Sequence, residues 1–330
     1  MFAVQFSGNA ESFYATIGRI TRSNEHAGRK RDGVGSDEMS YLVPISVFLL
    51  MVSIGMSLRP AEVMSSLRRL TWLKWLRLVF AAFLLPAALA LALARLFGLT
   101  DGDLGGIFMV GVTPGAPLLT RNVARKGFDM HLAATYQLLV AFLIPILIPL
   151  VVAAGASLYN KEIWISPATL VKEVALKQLV PLAIGVLIAK AAPTFSTKYR
   201  TTFNVLGNLL LTLVFVFALI KIGPALKNVT PKLPVAALLL ALGCMGIIWL
   251  MRLKDPIVTK TFAIANANRH VGLALLLTGR YTHSMRALPA IACYALVVVL
   301  VMIAYGMWFR GGERKQELSA SEAESSIASS

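Results

Sequence analysis

The sequence predicts an all-α polytopic membrane protein with about nine transmembrane helices. Three observations carry that reading. Of 330 residues, 57% are hydrophobic and only 15% charged, against about 25% charged in soluble domains, and the mean hydropathy is +0.72. The runs Leu132–Asn160, Thr201–Ile220 and Ala287–Phe309 contain no charged residue and meet the requirement of about 20 apolar residues for a crossing. The 32 Lys and Arg residues lie mostly between such runs, where juxtamembrane charges belong.

Residues 1–40 are polar and mixed in charge, with Arg29-Lys30-Arg31 and no apolar core of signal-peptide length. They read as a disordered tail, or as extra sequence from a start codon placed too early. The transmembrane part is expected over 41–309, with spans at 41–58, 72–98, 104–124, 129–155, 168–190, 200–222, 233–251, 257–279 and 285–309. Two of these are weaker on their face: Pro-Gly interrupts 104–124, and Lys172, Glu173 and Lys177 crowd one end of 168–190. Neighbouring helices re-satisfy freed backbone groups, so neither feature excludes a span. Residues 311–330 are rich in Ser and Glu and are expected to be disordered.

Charge and motif content narrow the function. The net charge of +16 would suggest nucleic acid in a soluble protein, but no basic patch interleaved with aromatics accompanies it. Cys244 and Cys293 lie inside apolar runs and read as small buried hydrophobes. No metalloprotease, serine-nucleophile or phosphate-loop motif is present, and nearly all the acidic residues lie in tails and loops. The protein is therefore expected not to be an enzyme and to use no cofactor. With the loop after the first span placed inside, inward loops hold fifteen basic residues against six outside. This favours a cytoplasmic C-terminus, in an integral protein of a bacterial inner membrane. Nine spans then leave the basic N-terminal tail outside, a conflict that a missing span before Tyr41 would resolve.

Two spans are interrupted. In Gly105–Ala124, Pro114, Gly115 and Pro117 fall within four residues, removing two backbone donors at membrane depth. In Phe262–Gly279 the middle carries Asn266, Asn268, Arg269 and His270, although a charge at the centre of a bilayer helix costs ~2.5–3.5 kcal/mol. The breaks occupy the third and eighth spans. Five is odd, so the two copies would lie inverted in the membrane. Paired broken helices in inverted halves point to the binding site of a transporter, whose half-helix ends hold ions of either sign.

These segments resemble the bile acid:sodium symporter family of secondary transporters. Ile54–Val63 (IGMSLRPAEV) is similar to the family's segment after its second helix. Gly111–Gly127 (GVTPGAPLLTRNVARKG) is similar to its Pro-Gly-Gly motif, Pro145 and Pro149 to its later proline pair, and Lys260–Leu277 to its discontinuous ninth helix. The resemblance covers about 41–309. It implies two inverted repeats and two crossed discontinuous helices. The panel would comprise 41–58, 168–190 and 200–222, and the core 72–155 and 233–309. The family's first helix has no counterpart, which leaves nine spans and accounts for the tail conflict.

The departures from the family change the expected chemistry. Its sodium-binding Glu and Gln on the ninth helix fall at Ala265 and Arg269, and the neighbouring Asn at His270. The Ser-Asn after Pro-Gly-Gly falls at Leu119 and Thr120, the fifth-helix Ser and Thr at Ala133 and Gln137, and a third-helix Gln at Ala81. An Arg 4 Å from a sodium ion would repel it by about 4 kcal/mol at an effective dielectric of 20, so sodium coupling is doubtful. The expectation is a carrier of a small organic anion, working by alternating access in the lipid bilayer. Arg269 would stand in for the bound cation and face the anion with its planar fork. His270 is a candidate proton carrier. Thr113, Pro114, Gly115, Pro117, Thr120, Gln137, Asn266 and Asn268 are candidate lining. Arg121 either contacts substrate or snorkels beside Arg125 and Lys126. The alternative is a membrane sensor or structural protein that kept the fold and lost transport.

Overall fold

The computed structural model describes residues 42–68, 70–115, 123, 128–159, 167–226, 230–281 and 287–328. Among them the secondary structure is helical throughout. The helices are α1 (Leu42–Ser57), α2 (Pro60–Arg68), α3 (Trp72–Phe97), α4 (Asp101–Val112), α5 (Met130–Tyr159), α6 (Pro167–Ala191), α7 (Pro193–Leu226), α8 (Lys232–Leu250), α9 (Pro256–Ala267), α10 (Val271–Tyr281) and α11 (Leu288–Ala328). Six segments within α3, α5, α6, α7, α8 and α11 are long and apolar enough to cross a membrane.

The other three expected spans differ for physical reasons. Helix α1 is apolar and, among the described residues, runs over Leu42–Ser57, ending before Pro60 opens the separate helix α2. Helix α4 stops before Pro114. The eighth span is divided into α9 and α10 by Asn268, Arg269 and His270. Elsewhere the apolar runs mark the helices well, with two exceptions. Helix α7 begins at Pro193, seven residues before the run expected from 200. Helix α11 continues to Ala328, through the segment expected to be disordered. Past Gly312 that segment has neither Gly nor Pro and carries four Glu and three Ala among its Ser residues, and Glu and Ala are good helix formers.

Both faces of these helices are apolar. On α5, Val140, Ile144, Ile148 and Val152 are buried, while Phe142, Ile146 and Leu150 are exposed. A helix that is hydrophobic all round and half exposed is solvated by lipid, which makes the chain an integral membrane protein. Two apolar clusters form inside. The larger draws on α3, α4, α5, α8, α9, α10 and α11, and on Val174 of α6. The smaller joins Val43, Val47 and Met51 of α1 to Val214 of α7.

Helix α1 is stitched to α7 by Ser53 Oγ donating to Arg200 O at 2.8 Å and Ser196 Oγ donating to Met56 O at 2.9 Å. Against α6 it packs at Gly55, whose neighbours are Leu182 O and the Cα of Gly185. A side chain at either glycine would strike backbone, so small residues set the helix approach here.

Candidate functional site

Helices α4 and α9 are local counterparts. Each is 12 residues long and each has a side-chain-capped start, Thr100 accepting from Asp103 N and Asp255 from Ile257 N and Val258 N. Each stops in nearly the same conformation, at Thr113 (φ −101°, ψ 86°) and Asn268 (φ −82°, ψ 83°). The second stop is a tight turn in which Arg269 N donates to Ala267 O at 3.0 Å, close to the inverse γ geometry. The two stops touch: His270 N donates to Thr113 O at 2.8 Å. Residue 117 is proline and offers no N–H to that carbonyl, so the opposite break supplies the missing donor.

Arg269 does the same on a larger scale. Its side chain is 1% exposed and all five of its donors are taken. Nε donates to Val110 O at 3.2 Å, and Nη1 to Asn266 O at 3.3 Å and Asn266 Oδ1 at 3.4 Å. Nη2 donates to Ala82 O at 2.8 Å and to Gly111 O. Each of the four carbonyls has lost the N–H that would meet it four residues on. Ala82 precedes Pro86 and Val110 precedes Pro114, and proline has no N–H. Gly111 precedes Gly115, which turns out of the helix at φ 78°. Asn266 precedes His270, whose N–H goes to Thr113. Val110 O also accepts from Thr113 N and Thr113 Oγ1, both at 3.2 Å, so the guanidinium chiefly fills the acceptor surplus at Ala82, Gly111 and Asn266, made by one proline, one glycine turn and one displaced amide. Unfilled, such groups cost about 1–3 kcal/mol each when buried.

This geometry narrows the expectations for Arg269 and His270. With five donors committed to protein oxygens, Arg269 has none left in this structure to present to an anion. His270 Nδ1 accepts from Leu273 N at 3.0 Å and caps α10, which fixes the ring proton on Nε2. A proton carrier at Nδ1 would have to surrender that cap. His270 Nε2, Asn268 Nδ2 and Gln137 Nε2 are buried and have no hydrogen-bond partner among the described residues. All three are donors.

The remaining candidates take simpler places. Thr113 Oγ1 bonds back to Met109 O and Val110 O of its own helix and serves as a C-terminal plug. Pro114 is buried. Gly115 is held against Val140, so that a Cβ would lie 2.8 Å from Val140 Cγ1. Gln137 is one helical turn from Val140 on α5 and belongs to the same side. Asn266 also donates from Nδ2 to Cys244 O at 2.8 Å, tying α9 to α8. Pro117, Thr120 and Arg121 lie outside the described residues. Three participants escaped the sequence reading. Pro86 and Ala82 were findable by asking which carbonyl each internal proline orphans. Tyr294, which donates to Ala267 O at 2.7 Å, gave no signal, being an ordinary aromatic in an apolar run.

A lipid-solvated helical bundle with polar backbone gathered at two facing helix breaks is the build of a membrane transporter. The chain belongs to the Sodium Bile acid symporter family, whose model matches residues 44–229. No curated protein matches it. The match covers the first break, while the Arg269 segment lies beyond it.

Proposed function

We propose that the protein is a secondary transporter of a small organic anion, working by alternating access without sodium. Family membership supports a transporter of the bile acid symporter type. The observation that carries the finer reading is the Arg269 guanidinium, which already occupies the oxygens of Ala82, Val110, Gly111 and Asn266. A bare cation would compete for the same lone pairs against a covalently attached charge. The matching lengths and ends of α4 and α9 support inverted repeats with these helices as the discontinuous pair. The packing of α1 against α6 and α7 supports a panel of those three, joined to a core of the other helices through α6 on α5 and α7 on α11.

The anion's contacts fall to the three orphaned donors, His270 Nε2, Asn268 Nδ2 and Gln137 Nε2, and to the N-terminus of α10, whose dipole favours negative charge. The bilayer is that of a bacterial inner membrane, with the C-terminus in the cytoplasm by the distribution of basic loops. Uptake of an organic anion panel into proteoliposomes, with sodium fully replaced by choline, tests this reading. Transport that persists without sodium is the expected result. Transport that appears only with sodium sinks it, and binding without any uptake returns the sensor alternative.

A further inference from the structure

We infer that this carrier is uncoupled and electrogenic, moving its anion down the anion's own electrochemical gradient and so releasing it from an interior-negative compartment. This rests on the anion-transport reading above. A mobile cation that crosses with a substrate adds its charge and its gradient to each cycle. The charge of Arg269 is bonded to the chain, so whatever path it takes on the loaded step it retraces on the empty one. Net charge moved per cycle is then that of the substrate alone.

Among the described residues, the buried polar groups are Ser, Thr, Asn and Gln, with Arg269 and His270 and without any Asp, Glu or Lys. His270 has its Nδ1 lone pair engaged by the Leu273 amide, and the five guanidinium donors are directed at the oxygens of Ala82, Val110, Gly111 and Asn266, so a cation bound at those oxygens would sit against a fixed positive charge. A tethered cation thus removes the means of uphill uptake that a diffusible one provides. The membrane potential still acts on the moving anion, at tenfold in concentration per ~60 mV for one charge.

The test uses the full chain in sodium-free proteoliposomes with radiolabelled taurocholate and gluconate, both monovalent and poorly permeant. Counterflow against preloaded unlabelled anion first reads whether the protein carries either probe. Potassium gradients with valinomycin then clamp the potential. The expected result is an internal-to-external ratio that changes about tenfold per ~60 mV, higher inside when the interior is positive, and that ignores a sodium gradient at fixed potential. Counterflow with a ratio insensitive to potential, or one that follows a sodium or pH gradient, overturns the inference while leaving anion transport standing. Absence of counterflow with both probes overturns the transport reading and this inference together.

Discussion

The helix ending at Val112 and the helix ending at Ala267 have the same length, similar capped starts and similar backbone angles where they stop, yet they stop for different reasons. After Val112 the cause is covalent. Pro114 lacks a donor and Gly115 takes a positive φ that other residues resist. After Ala267 there is neither Gly nor Pro before Gly272. The break there is held open by side chains, with Arg269 drawn into the carbonyl ends and His270 capping the next helix. One break generates acceptors without donors, the other supplies donors. Inside a bilayer neither could persist alone, since water is not there to complete the bonds. Their complementarity explains why the pair is a single site.

The largest effect should come from removing the donor side. Arg269→Met keeps bulk but leaves the oxygens of Ala82, Gly111 and Asn266 facing an apolar interior. Destabilisation of roughly 3–5 kcal/mol is expected, as when one partner of a buried charged contact is deleted, with loss of anion uptake. Thermal unfolding in detergent should show it. Arg269→Ala opens a cavity, and added guanidinium should restore part of the lost stability there but not in Arg269→Met. Equal stability of both variants and the parent would break the proposed complementarity.

The acceptor side should respond next. Gly115→Ala places a side chain at φ 78° and against Val140. Left-handed backbone costs roughly 1–2 kcal/mol for a non-glycine residue, and the contact with Val140 adds to it. Pairing the change with Val140→Ala should recover the contact part and leave the backbone part. Full recovery in the double variant would mean that the positive φ is incidental to the first break.

How much of this was legible beforehand follows from which residues speak locally. Apolar runs placed most of the long helices, α7 and α11 extending well beyond theirs, because lipid demands apolar surface all round and the loops collect the charge. The two breaks were visible as Pro-Gly and as a polar knot, and their meeting was foreseeable from their positions in the order of spans. The direction of Arg269 was not. A guanidinium facing substrate and one buried among carbonyls have the same sequence, and only the positions of Ala82, Val110 and Gly111 decide between them. The Gly55–Gly185 approach was equally hidden, since two glycines 130 residues apart carry no mark of pairing.

A smaller effect should separate His270 as a cap from His270 as a proton carrier. His270→Ala removes the acceptor for Leu273 N, at about 1 kcal/mol, whereas His270→Asn retains a capping oxygen and should recover most of that stability. If His270 acts only as cap and donor, transport by the Asn variant should keep the parent's pH profile between pH 5 and 8. A profile that flattens in the variant would give the ring a proton-carrying role.

The smallest effect is the most specific to the pairing of the breaks, and it lies on α3. Pro86→Ala gives position 86 an N–H that can meet Ala82 O along the helix, so one of the five acceptors now has a donor of its own. The single variant should alter unfolding little, because helix propensity gains what the Arg269 contact loses. The informative quantity is the coupling. In the Pro86→Ala background, Arg269→Met should cost about 1 kcal/mol less than in the parent, the net worth of the one hydrogen bond made redundant. Strict additivity of the two changes would mean that Arg269 stabilises the site through packing or its overall charge. Carbonyl-by-carbonyl repair of the proline defects would then have no part in holding the breaks together.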